Sequence, residues 1–318
     1  MHIDVFNGDA DGLCALIQLR QAYPVAAQLV TGVKRDIELL KRVKAAAGDE
    51  LTVLDISLQK NRPYLMTLLE QGAHVLYVDH HQAGDIPEHP GFTSLIDTRA
   101  DTCTSLLVDH YLHQRFSAWA VTAAFGDNLG ASARQHAEVL QLSSQQLQQL
   151  ENLGVCLNYN SYGVDVADLY FPPDQLYQRL APYSSPLDFI ADNALIYHQL
   201  LAGYQDDLHK ADQIASDFVN QNLAVYILPN EPWSRRVSGV WGNTLANRNP
   251  DKAHAVVSEN SSGGFQVSVR APLNNKTGAD ELCGQFVSGG GRKAAAGINH
   301  LEKSQLAFFI QAFLEKWR

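Results

Sequence analysis

Between His2 and Val78 the hydrophobic pattern switches period repeatedly, and this alternation constrains the fold more than any other feature of the chain. Short apolar runs fit strands at His2–Phe6 and at residues 25–31, 51–56 and 73–78. Between them, residues 12–23 place Leu13, Leu16, Ile17 and Leu19 on one helical face. Residues 34–47 predict a second helix stopped by Gly48, and residues 62–71 a third stopped by Gly72. Repeated βα units make a parallel sheet wrapped by helices, so the fold class is α/β. Ligands of open α/β sheets bind at the carboxyl ends of the strands. The strand ends are therefore where function is to be read.

Beyond the first hundred residues the pattern turns helical, at 105–114, 118–125, 131–140 and 145–153, the last capped by Ser143. Residues 206–220 are polar, charged and helical in spacing, which suits a linker helix. Strand signals return at Leu223–Leu228, 253–258 and 265–269, with Ser261-Ser262-Gly263-Gly264 as a turn, and 303–317 predicts a closing helix. The expected organisation is a catalytic domain over residues 1–205, a linker over 206–221 and a smaller α/β domain over 222–318.

Hydrophobic residues make up 46% and charged residues 18%, enough apolar mass for two cores. Four scattered cysteines without a CxxC pair exclude a disulfide framework and a cysteine zinc site. That pattern, with strand-like sequence directly after Met1 and no long apolar run, leads to the expectation of a cytoplasmic protein without membrane contact. The net charge of −10 argues against a long nucleic-acid cleft. It divides into −14 over residues 1–221 and +4 over 222–318. An acidic front suits cations, and a mildly basic back suits an anionic substrate.

The strand ends carry a set. The first runs into Asn7-Gly8-Asp9-Ala10-Asp11-Gly12, the third ends on Asp55, the fourth on Asp79-His80-His81, and the helical run at 118–125 leads into Asp127. Crowded carboxylates repel unless cations neutralise them. Oxygen donors with one or two imidazoles suit manganese or magnesium, and two such ions clamp the attacking and leaving oxygens of a displacement at phosphorus.

Asp9-Ala10-Asp11-Gly12, Asp55, Asp79-His80-His81 and Asp127 resemble the four motifs of the DHH phosphoesterase superfamily. Val267-Ser268-Val269-Arg270 and Gly289-Gly290-Gly291-Arg292-Lys293-Ala294-Ala295-Ala296-Gly297 resemble the two marks of its DHH-associated C-terminal domain. The superfamily includes RecJ exonucleases, NrnA- and NrnB-type nanoRNases, cyclic-dinucleotide phosphodiesterases and family II pyrophosphatases. The resemblance implies two Mn2+ ions, with Mg2+ as the substitute. It implies that Asp55 bridges them, that Asp9 binds one, and that Asp11, His80 and Asp127 bind the other. It further implies that Asp79 orients His80, that His81 contacts the scissile phosphate, and that a water between the ions is the nucleophile. Two positions depart from the pattern: Asn7 stands where many relatives carry a metal-binding histidine, and Arg292 follows the glycine triplet where histidine is usual.

The expected activity is hydrolysis of 5′-phosphorylated dinucleotides, such as pGpG, or very short oligonucleotides to mononucleotides. The alternatives are a cyclic-dinucleotide phosphodiesterase, a pAp phosphatase, and a catalytically weak nucleotide-binding protein. Arg270, Gly289, Gly290, Gly291, Arg292 and Lys293 are expected to hold substrate, the last two beside a helix starting at Ala294, and Arg99 is a further candidate. A homodimer is compatible with the sequence. His110 and His113 read as surface or half-buried residues, and Tyr159, Tyr162 and Tyr170 as packing residues before base-stacking ones.

Overall fold

A computed structural model describes residues 1–260 and 263–318, and the chain divides into two compact units. The first comprises Met1–Ser161 and Asp165–Leu201, the second Tyr162–Val164 and Ala202–Arg318. Among the described residues no helix is long and apolar enough to cross a membrane.

The first unit is built on a five-stranded, wholly parallel sheet of β1 (His2–Phe6), β2 (Gln28–Val30), β3 (Glu50–Leu54), β4 (His74–Asp79) and β5 (Phe92–Ile96), in the order β2-β1-β3-β4-β5. Ile3, Val5, Leu51, Val53, Val75 and Tyr77 pack one apolar face of the sheet with Leu65, Leu68 and Leu69 of α2 (Leu58–Glu70). Leu13, Leu16 and Ile17 of α1 (Ala10–Ala22) are fully buried, which accounts for the helical spacing of the motif that opens it. The helices α3 (Thr104–Tyr111), α4 (Ser117–Gly126), α5 (Gly130–Ala137) and α6 (Ser144–Asn160) follow, then α7 (Pro173–Leu180) and α8 (Pro186–Asp192). Ser143 caps α6 as expected, closing a capping box with Gln146.

The helix expected over residues 34–47 is absent: only Leu39–Arg42 form a short 3-10 turn. Asn61 of α2 explains why. Its side chain accepts from Leu40 N at 3.1 Å and donates to Ile37 O at 2.6 Å, so the backbone is satisfied without a helical ladder. Buried Leu39 and Leu40 belong to the sheet core, and their helix-like spacing is the spacing of a loop dipping into it.

The linker helix lies earlier than expected. It is the end of α9 (Ala194–Asp212), within which the chain passes from one unit to the other, and the next element is β6 (Phe218–Val219). The second unit holds a six-stranded sheet of β6, β7 (Leu223–Leu228), β8 (Ala253–Glu259), β9 (Phe265–Arg270), β10 (Gly289–Gly291) and β11 (Ala295–Leu301), in the order β10-β11-β9-β8-β7-β6. Only β7 and β8 pair in parallel, joined by α10 (Pro232–Arg248), a helix the sequence reading missed. Phe309, Phe313 and Trp317 line one core face from α12 (Leu306–Lys316) and its C-cap, beside α11 (Ala279–Cys283). Of the turn expected between β8 and β9, Ser261 and Ser262 lie outside the described residues.

Candidate metal centre

In a sheet ordered 2-1-3-4-5 the connections leave β1 and β3 in opposite directions, which opens a crevice at their carboxyl ends. The acidic motifs end these strands and their neighbour. Asp9 is the N-cap of α1, its Oδ1 accepting from Asp11 N at 3.0 Å and Gly12 N at 3.1 Å. Gly12 is required by close approach, since a Cβ there would lie 2.2 Å from the carbonyl oxygen of Asn7. We expect Gly12→Ala to displace the Asp9 turn, lowering stability by about 1–3 kcal/mol, the usual cost of overpacking. A urea unfolding series checks this.

Asp11 lies on the first turn of α1, and both its oxygens are held from the start of α3: Thr104 N donates to Oδ2 at 2.8 Å and Ser105 N to Oδ1 at 2.7 Å. Asp55 follows β3 with a positive φ of 58°, a conformation that aspartate tolerates better than most residues. The Thr104 hydroxyl donates to its Oδ1 at 3.2 Å. Asp127 is the C-cap of α4. Gly126 before it packs tightly, because a Cβ there would meet Ala10 Cβ at 2.4 Å and the Gly154 carbonyl oxygen at 2.7 Å.

Three of these carboxylates converge on one nitrogen. His80 Nε2 lies 3.5 Å from Asp55 Oδ1, 3.8 Å from Asp11 Oδ2 and 3.9 Å from Asp127 Oδ2. The other ring nitrogen, Nδ1, is 3.1 Å from the carbonyl oxygen of Thr102. A carbonyl only accepts, so Nδ1 carries a proton and Nε2 is the ring nitrogen left to meet an ion. Asp127 Oδ2 is buried without a hydrogen-bond partner. Burial pushes the Asp55 carboxyl well above its ordinary pKa, with Asp9 and Asp11 adding to the effect. Burial likewise raises Asp11, although His80 opposes it. Three oxygen donors, one lone pair of imidazole and an unsatisfied buried carboxylate oxygen fit a divalent ion of the manganese or magnesium type.

Asp79 does not orient His80, as the resemblance implied. It is fully buried and its Oδ1 lies 2.7 Å from His81 Nδ1. His80 and His81 both lie beyond the end of β4, and it is His81 that turns its Nδ1 back onto Asp79. Asn7 directs its amide to the backbone: Oδ1 accepts from Asp9 N at 3.3 Å and Nδ2 donates to Lys34 O at 3.1 Å.

Sequence reasoning missed Lys34. Its ammonium pairs with Asp9 Oδ2, and lies 2.9 Å from Asn158 Oδ1 and 3.9 Å from Asp127 Oδ1. Burial raises the Asp9 pKa, but the charge and hydrogen bond of Lys34 outweigh it and hold the carboxyl at about 2. The available signal was positional: Lys34 follows β2, the strand beside β1, and so stands at the same edge of the sheet.

No family model matches the sequence, and no curated protein does. Solved structures do. A DHH-domain protein described as a member of the s1p family of ribosomal proteins superposes with a TM-score of 0.67 at 12% identity, over 99% of this chain and 85% of its own. A manganese-bound RecJ exonuclease superposes with a TM-score of 0.60 at 16% identity, over 100% of this chain and 90% of its own. A pGpG-specific phosphodiesterase of Vibrio cholerae, PggH, gives 0.53 at 13% identity over 98% and 99%. The chain has the DHH-domain fold.

In the second unit of this DHH fold, the glycine triplet is a strand and no cradle at a helix start. Gly289, Gly290 and Gly291 form β10, and Ala295–Leu301 is β11 paired against it. Arg292 and Lys293 sit exposed in the tight turn between them, where Arg292 and Ala295 exchange backbone hydrogen bonds. The helix expected from Ala294 fails because that run of small residues packs antiparallel to β9, Ala295 opposite Arg270. Arg270 is partly buried. It donates to Asn243 Oδ1 at 2.6 Å, Ser268 Oγ at 3.0 Å and Gly239 O at 3.1 Å, and among the described residues it pairs with no carboxylate. Burial lowers its pKa from the ordinary guanidinium value; Tyr162 opposes this and Arg292 adds to it. Arg99 is exposed and paired with Asp97 at 2.7 Å, in a loop of the first unit. Tyr159 is fully buried against Tyr170, a packing role.

Proposed function

We propose that this protein is a metal-dependent phosphodiesterase that cleaves short 5′-phosphorylated nucleotides, such as the linear dinucleotide pGpG, to mononucleotides. The observation that carries this reading is His80, whose Nε2 is turned by Thr102 onto Asp11, Asp55 and Asp127 at the crevice end of a parallel sheet. Those four residues would hold a divalent ion, manganese suiting the imidazole. Such an ion lowers the pKa of water towards neutrality and neutralises charge developing on a phosphoryl oxygen.

The remaining work falls to the protein. His81 is the accessible imidazole of the pair, its side chain 41% exposed, and Asp79 fixes its ring from below. It is placed to donate a hydrogen bond to a phosphate oxygen and to stabilise charge there. Arg270, surrounded by neutral acceptors, retains an uncompensated charge that a nucleotide phosphate would satisfy, with Arg292 and Lys293 adding positive potential. Similarity to the fold of RecJ exonuclease and of PggH supports phosphoester chemistry. The charge of −14 over residues 1–221 disfavours long nucleic acids, which bind through many basic contacts.

A substrate panel tests the proposal. With Mn2+, purified protein is expected to convert pGpG and other 5′-phosphorylated dinucleotides to mononucleotides, at least about tenfold faster than cyclic dinucleotides, pAp or long single strands, a difference of roughly 1.4 kcal/mol in barrier. Preferred hydrolysis of cyclic dinucleotides or pAp would replace the substrate, and no turnover with any divalent ion would remove the enzymatic reading altogether.

A further inference from the structure

Lys34 places a fixed positive charge on the carboxylate that the resemblance assigned to a first metal ion. Its ammonium pairs with Asp9 Oδ2 and is also held by Asn158 Oδ1 at 2.9 Å. Asp9 Oδ1 already accepts from the backbone of Asp11 and Gly12 and Oδ2 carries the lysine, so the charge of Asp9 is met without a metal while the lysine stays.

The lysine is anchored from its backbone outwards. Lys34 N donates to Ser161 O at 2.9 Å, and Asn7 Nδ2 donates to Lys34 O at 3.1 Å. The segment before it lies against the Asp9 turn so closely that a Cβ on Gly8 would be 2.1 Å from the Gly32 carbonyl oxygen. Asn7 and Lys34 thus form one device. Asn7, which lacks the imidazole of a metal ligand, ties down the backbone of the loop residue whose side chain supplies the charge.

An independent observation locates the remaining cation. Asp127 Oδ2, buried and unpartnered, points to the His80 side of the cluster at 3.9 Å from Nε2, while Oδ1 of the same carboxylate is 3.9 Å from Lys34 Nζ. Asp127 therefore stands between a nitrogen that would ligate an ion and a nitrogen that carries its own charge. We propose that the centre takes one divalent ion, on Asp11, Asp55, His80 and Asp127, and that the Lys34 ammonium replaces the second ion at Asp9. The inference rests on the metal-centre reading above and sets its metal count. Four carboxylates then face one dication and one lysine. Lys34 neutralises Asp9 and steadies the negative substrate group without exchange with bulk metal.

Equilibrium dialysis of the full chain against Mn2+, with free ion read by electron paramagnetic resonance, tests the assignment. One Mn2+ per wild-type chain is expected, without the spin-coupled signal of a dinuclear pair. Lys34→Met keeps the length of the side chain and removes the charge, so a second, weaker Mn2+ is expected to bind. Lys34→Gln serves the same purpose if the methionine variant does not fold. Two spin-coupled ions in the wild type would overturn the proposal, as would a stoichiometry of one in both folded variants. If the wild type binds no Mn2+ at all, the metal-centre reading falls with it. One bound ion without turnover of any nucleotide would leave the Lys34 assignment standing and remove only the substrate.

Discussion

Asp55→Asn is expected to abolish hydrolysis while leaving the metal-free protein at least as stable as the wild type. Asp55 is buried beside Asp9 and Asp11, and its carboxyl is pushed well above its ordinary pKa by burial first and by those neighbours second. Without a cation, the fold carries the repulsion of this cluster. Asparagine keeps the acceptor that Thr104 Oγ1 uses at 3.2 Å, tolerates the left-handed backbone at φ 58°, and brings an amide that can donate to the Asp9 carboxylate. Replacing a crowded buried charge with a neutral isostere commonly stabilises by about 1–2 kcal/mol. The catalytic cost runs the other way. A central ligand lost from a metal-dependent hydrolase should lower kcat by about a thousandfold or more, roughly 4 kcal/mol of barrier. Urea midpoints measured in chelator and kcat measured with Mn2+ read the two effects separately. A variant that hydrolyses pGpG at the wild-type rate would remove Asp55 from the chemistry.

The two histidines should part company in the second experiment. His80→Ala is expected to weaken Mn2+ affinity by about a hundredfold or more, near 2.7 kcal/mol, because its Nε2 is the nitrogen on which three carboxylates converge. His81→Ala should leave Mn2+ affinity within about threefold and lower kcat/KM by about 100-fold, the typical worth of one hydrogen-bond donor to a developing oxyanion. Asp79→Asn should follow His81→Ala in both readouts, since Asp79 holds His81 at 2.7 Å and not His80. Isothermal titration with Mn2+ and steady-state kinetics separate these outcomes. His81 Nδ1 lies 3.9 Å from Asp55 Oδ1, and the ligand atoms of Asp55, His80 and His81 lie within 4.8 Å of one another. Equal loss of metal affinity in both histidine variants would therefore make His81 a ligand and leave the phosphate contact unassigned.

How much of this was legible in the sequence depends on the range of the interaction. The parallel sheet was readable because each βα unit carries its own periodicity, and the acidic strand ends were readable because topology gathers them at one edge. What escaped depends on partners distant in the chain. The 34–47 stretch has helical spacing, yet Asn61 satisfies its backbone from another element. Lys34 became part of the site only because that stretch is a loop, and its polar partners Asp9, Asn158 and Asp127 come from three separate parts of the chain. The small residues from Ala294 read as a helix start, and pairing of Ala295 opposite Arg270 makes them part of a hairpin. The Asp79–His81 pairing escaped for a different reason. His81 stands beyond the end of β4, so strand periodicity does not say which of the two histidines Asp79 reaches.

The proposed divalent ion would sit on Asp11, Asp55, His80 and Asp127. Anomalous diffraction at the manganese edge, from crystals grown with Mn2+, measures this directly. A peak bridging those four side chains is the predicted result. Crystals whose anomalous density lies elsewhere, with these residues bare at saturating Mn2+, would contradict the account.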